Sequence, residues 1–150
     1  MKELEIAKSY LSKALDYYVG ALHLTGKYLG CQLLILALVS VSDAMIHRFL
    51  GNITNLPKVS PQDLWPASYE TRVADLQKIE EKYPDILQKG EFSDVLERTL
   101  KSLLPSSQMA PLISINFKAY LNEAFNFLQN AQKLIKTLPK EATDINEQSD

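Results

Sequence analysis

The chain has 150 residues, of which 46% are hydrophobic and 23% charged, with a formal net charge of −2. That length makes one domain with enough apolar material for a core that needs no disulfide or metal staple, and that composition excludes disorder outside the ends. The slight negative charge excludes a protein held to nucleic acid or to a membrane surface by bulk electrostatics, although a local basic patch is still possible.

The first predicted helix runs from Lys2 to Leu24. Leu4, Ala7, Leu11, Ala14, Leu15, Tyr18 and Leu22 line one side, and Glu5, Lys8, Lys13 and Asp16 the rest. Thr25-Gly26-Lys27 makes a short turn with Gly26 as a left-handed cap, so the next helix returns antiparallel. That second helix, Tyr28 to Leu50, is the most informative stretch. Leu33 to Val39 is apolar all round, which demands burial on nearly every side. Beyond it, Ser40, Asp43 and His47 recur at helical spacing and form a polar seam on one face. Ser40, Ser42 and Asp43 interrupt the apolar run short of the ~18 residues a membrane span needs, so no membrane span is expected. Gly51 is placed as the cap.

Gly51 to Pro66 is irregular, because Pro57, Pro61 and Pro66 deny it regular structure. A third helix spans Ala67 to Tyr83, with Tyr69, Val73, Leu76 and Ile79 inward. Glu70, Arg72, Lys78, Glu81 and Lys82 read as its solvated face, and Glu80 narrows the inward stripe. Asp85 to Leu104 holds one helix, or two separated by Gly90. The clearer one starts at a Ser93 cap, buries Val95, Leu96, Leu100, Leu103 and Leu104, and is broken by Pro105-Ser106-Ser107. The last helix runs from near Pro111 to Leu138. Its core stripe is Leu112, Phe117, Tyr120, Leu121, Ala124, Phe125, Leu128, Ala131, Leu134, Ile135 and Leu138. No stretch shows the period of a strand. The expected fold is therefore all-α, an antiparallel four- to five-helix up-and-down bundle over residues 1–138, with a polar tail at 139–150.

Cys31 is a single cysteine among apolar neighbours, which favours a reducing, cytoplasmic setting and a packed thiol. The N-terminus, Met1-Lys2-Glu3-Leu4-Glu5, is charged rather than an apolar secretory leader.

Among candidate sites, Asp43 and His47 stand four residues apart on one face. They read either as an acid/base pair or as a hydrogen-bonded pair at a seam between helices or subunits, and the structural reading is preferred. No metal and no cofactor is expected. His23, His47 and the lone cysteine do not make up the three or four ligands of a cage. No nucleophile elbow or phosphate-cradling glycine loop is present, so no catalytic residue is assigned. Trp65, between Leu64 and Pro66, pins the long loop or anchors a partner. Phe127 falls off the main stripe and is expected at an exposed contact surface. Ser40, Asp43, His47, Trp65 and Phe127 are thus the binding or interface candidates, and a homodimer through the second helix is expected.

The order of elements resembles the HEPN family of small helical bundles. The resemblance is carried by Ala7-x-x-Tyr10-Leu11-x-x-Ala14, Leu24-Thr25-Gly26-Lys27-Tyr28-x-Gly30, Ser42-Asp43-Ala44-Met45-Ile46, Leu100-x-x-Leu103-Leu104 and Ala124-x-x-Phe127-Leu128-x-x-Ala131-x-x-Leu134. Many members of that family are ribonuclease toxins that use an arginine and a histidine separated by four to six residues near the start of a late helix in a symmetric dimer. Here none of Arg48, Arg72 and Arg98 has a histidine downstream, so the nuclease motif is absent. The resemblance then implies a homodimer with a non-catalytic role, as a partner of a nucleotidyltransferase or as a regulatory module associated with nucleotides or RNA. The competing readings are a degenerate ribonuclease using Asp43 and His47, and a small subunit of a larger assembly anchored by Trp65 and Phe127.

Overall fold

The structure, a computed structural model, describes residues 2–23, 27–51, 56–61, 63–108 and 116–137. These form five helices: α1 (Lys2–His23), α2 (Lys27–Leu50), α3 (Ala67–Lys82), α4 (Ser93–Gln108) and α5 (Phe117–Thr137). No strand occurs among the described residues. The expected cap at Gly26, the expected core residues Leu112 and Leu138, and the tail at 139–150 lie outside them.

α2 is the axis, and it packs against all four other helices. Leu34, Ile35, Ala37, Leu38 and Val39 are buried, as an all-round apolar helix requires, and Leu33 packs at the rim of the same core. Gly51, at φ +99, closes α2 in the left-handed conformation that glycine tolerates, and its N–H donates to the His47 carbonyl at 3.1 Å.

The directions of the helices follow from who meets whom. A methyl group built on Gly20 meets Leu33, and Tyr10 feels the charge of Asp43, so α1 and α2 are antiparallel. Arg72 reaches Asp43, whereas Lys82 and Tyr83 reach Phe49, so α3 runs parallel to α2. Gln32 meets Ser107, and Glu80 meets Ser93, so α4 turns back antiparallel to both α2 and α3. α5 lies parallel to α2, with Phe117 against Gly30, and antiparallel to α1, with Phe125 against Tyr18. The alternation of an up-and-down bundle is therefore interrupted once, between α2 and α3. The proline-rich segment after Gly51 supplies the chain needed to return along the bundle.

Several expectations are corrected. α4 does not break at Pro105 but continues to Gln108. Pro105 sits in the last turn and forfeits one helical bond, that to the Lys101 carbonyl, while the Ser107 hydroxyl ties the turn by donating to the Leu104 carbonyl at 2.7 Å. Residues 84–92 form turns rather than a helix. α5 is described from Phe117, where the Asn116 side chain accepts the Ala119 N–H at 3.3 Å as a cap, and the expected start near Pro111 lies outside the described residues. Leu15 and Leu22, expected in the core, lie 46% and 49% exposed, and Phe125 is 38% exposed. Phe127, expected at an exposed surface, is buried at 3%, its ring edge-on to Phe92 with centroids 5.6 Å apart. It lies three residues after Ala124 and four before Ala131, which puts it on the stripe rather than off it.

Candidate functional site

The polar seam on α2 turns inward. Ser40 and Asp43 are buried within the single chain, and the Ser42 hydroxyl donates to the Leu38 carbonyl at 2.9 Å. Two of the three seam residues therefore face into the chain's own core, while His47 is half-buried. The reason lies in α3. Arg72, read from the sequence as solvated, is 5% exposed and donates from Nε to Asp43 Oδ1 at 2.7 Å and from Nη2 to Oδ2 at 3.3 Å. The planar guanidinium matches both carboxylate oxygens, the strongest geometry available to such a pair. Its Nη1 donates to the Pro57 carbonyl at 2.9 Å and to the Ser68 carbonyl at 3.1 Å. One side chain thereby fastens α2, α3 and the long loop together. Burial pushes the Asp43 carboxyl above its ordinary value of 3.8, opposed by Arg72 and more weakly by Lys13.

His47 is not part of this cluster. Asp43 spends both oxygens on Arg72, and the two ring nitrogens of His47, buried from solvent, have no hydrogen-bond partner among the described residues. The carboxylate that was to orient the imidazole is committed elsewhere. Arg48 lays its guanidinium 5.9 Å from the Phe49 ring centroid.

The long loop is held through its carbonyls. The Tyr69 hydroxyl donates to the Ser60 carbonyl at 2.7 Å, and the Ser107 hydroxyl shares its one proton between the Leu104 carbonyl and the Pro61 carbonyl, the latter at 2.8 Å. Tyr69 is fully buried, and the loss of solvent pushes its phenol up to about 12, with Asp63 adding to the rise and Arg72 opposing it. Trp65 holds a left-handed backbone at φ 39, stacks on Tyr69 with centroids 6.1 Å apart, and carries the Lys101 ammonium 4.7 Å above its ring. These contacts tie the half-buried Trp65 to α3 and α4 within the chain.

A second buried charge was also missed. Glu80, 4% exposed, accepts the backbone N–H groups of Gly90 at 2.9 Å and of Phe92 and Ser93 at 2.8 Å each, and the Ser93 hydroxyl at 2.8 Å. Ser93 is therefore not the cap of α4. A carboxylate from the end of α3 takes that role, satisfying orphan donors and meeting the positive end of the helix dipole. Spacing was the available signal for both charges: Arg72 and Glu80 fall at the three- and four-residue steps of the Tyr69–Val73–Leu76–Ile79 stripe.

No described cluster of three His, Cys, Asp or Glu side chains is arranged to hold a metal ion. By length and composition Leu29–Leu50 passes as a membrane span, with mean hydropathy 2.0, yet 72% of that window is buried inside the bundle.

Among the hollows on the described surface is a trough between α1 and α5 of about 460 Å³. Leu11, Leu15, Phe125 and Leu128 give its apolar floor, Ser12, Gln129 and Gln132 its polar walls, and Lys8 and Lys136 one end. The α1 row continues past it through Val19, 40% exposed, to Leu22. By fold and site this is an all-helical bundle whose buried charges hold its own elements together. No family model matches the chain, and no curated protein or solved structure is detectably similar to it.

Proposed function

We propose that the chain is a non-catalytic, cytoplasmic, HEPN-like helical bundle that acts by binding another polypeptide through the outer face of α1 and α5. The observation that carries this reading is the exposed apolar row Leu15, Val19 and Leu22, flanked by Phe125. Contiguous apolar surface of this kind, rimmed by polar residues, is what a docking face presents. The buried charges support the same reading, because Asp43, Arg72 and Glu80 spend their hydrogen-bonding capacity within the bundle.

The partner is either a second copy, giving a homodimer, or a different protein such as the nucleotidyltransferase that the family resemblance implies. Light scattering over a range of micromolar concentrations tests the first, with Leu15→Lys as the control. A dimer that this substitution dissolves supports the face. A monomer whose co-expressed partner is equally well retained by wild type and Leu15→Lys would remove it. Incubation of mixed RNA with wild type and His47→Ala tests the competing class, because cleavage that the substitution abolishes would show a degenerate nuclease.

A further inference from the structure

Deepening the reading above, and resting on it, we infer that the α1–α5 trough takes an amphipathic helix with carboxylates at one end.

The shape is linear. Residues 8, 12, 15, 19 and 22 of α1 recur at steps of three and four and so lie along one face. From Lys8 to Leu22 that face is about 21 Å long at 1.5 Å per residue. A helix of about four turns covers such a length, with apolar anchors at positions i, i+4, i+7 and i+11. The floor is closed where Leu11 and Leu128 are 6% and 7% exposed, while Leu15 and Phe125, 46% and 38% exposed, offer the apolar area that a helix would cover.

The charge is one-sided. Lys8 on α1 and Lys136 on α5 both line the trough. The pairing of Tyr18 with Phe125 sets the antiparallel register, which brings the two lysines to the same level at one end. No carboxylate lines the trough, and neither lysine makes an ion pair among the described residues. Two unpaired cations over an apolar floor select an acidic terminus and fix the direction in which the helix lies.

The probe is a fluorescein-labelled, 14-residue helical peptide with leucine at the four anchor positions and two glutamates at one end. Its control has lysines in place of those glutamates. Anisotropy titration of the full chain is expected to show binding about ten-fold tighter for the acidic peptide. Leu15→Lys is expected to abolish that binding, and the double variant Lys8→Glu/Lys136→Glu to reverse the charge preference. Circular dichroism of each variant checks folding, which these exposed positions should leave intact. Absence of binding, or equal binding of the two peptides, overturns the inference. Sedimentation velocity separates its failure from that of the broader reading. A dimer dissolved by Leu15→Lys and indifferent to the peptide makes a second copy the occupant, so the docking face stands and the acidic helix falls. If neither peptide nor copy engages the face, both fall.

Discussion

Replacing Asp43 with alanine strands a positive charge in the interior. Arg72 would lose its bonds of 2.7 and 3.3 Å to the carboxylate and keep only those to the Pro57 and Ser68 carbonyls, which cannot neutralise it. An arginine does not escape by deprotonating, so the cost is that of an uncompensated buried ion, about 3–5 kcal/mol. Against a total stability of about 5–15 kcal/mol, this is a large fraction. Arg72→Met should cost less, because Asp43 can take up a proton, toward which burial already biases it. The sign follows: a carboxyl whose folded pKa lies above its unfolded value penalises the fold as pH rises through that window. The deficit of Arg72→Met relative to wild type should therefore shrink between pH 7 and pH 4. The double variant Asp43→Leu/Arg72→Met removes both charges and leaves chiefly the Pro57 carbonyl without its donor, a loss of about 1–3 kcal/mol. It should be more stable than Asp43→Ala alone. Urea unfolding of the four proteins, followed by circular dichroism, measures this directly. A double variant that loses as much as the two single variants summed would refute the reasoning, since the side chains would then act independently.

The remaining predictions concern other parts of the bundle. Glu80→Ala removes the acceptor of three backbone N–H groups, so it should cost about 3 kcal/mol or more, and hydrogen exchange at Phe92 and Ser93 should accelerate ahead of the rest of α4. Unchanged protection there would show that the carboxylate does not cap the helix. Tyr69, pushed up to about 12, stabilises the fold as a neutral phenol below pH 10; that contribution, about 3 kcal/mol, should be lost as pH rises through 12. Tyr69→Phe should be about 1 kcal/mol less stable at pH 7, yet decline less steeply in alkali, as unfolding at pH 8 and pH 11 would reveal. Gly30→Ala drives a methyl to 2.6 Å from the Phe117 ring, so it should lower stability by about 1–3 kcal/mol, whereas Leu15→Lys, on an exposed face, should change it by less than about 0.5 kcal/mol. Thermal unfolding checks both, and an unshifted midpoint for Gly30→Ala would mean that α5 does not press on α2 there.

What could be read in the sequence is what depends on near neighbours. Periodicity placed all five helices, the burial of Leu34, Ile35 and Ala37 to Val39, and the inward stripe Tyr69, Val73, Leu76 and Ile79, because a helix's apolar face is a local property. Gly51 was legible as a cap for the same reason. Asp43 was legible as a stranded carboxylate on a buried helix, but its partner was not. Arg72 stands 29 positions away, and residue type argued for solvent while spacing argued for the core. Glu80 was misjudged in the same manner, since an acid at the end of one helix gains its value only from where the next helix begins. Phe125 and Phe127 exchanged roles because both are aromatic, and the two positions between them, more than half a turn of α5, decide which meets Phe92. The course of the long loop, and with it the parallel run of α3 beside α2, was set by three carbonyls finding Arg72, Tyr69 and Ser107. Local propensity determines the elements of this protein. Satisfying buried charge, a condition on residues distant in the chain, determines how those elements sit and which apolar face is left uncovered.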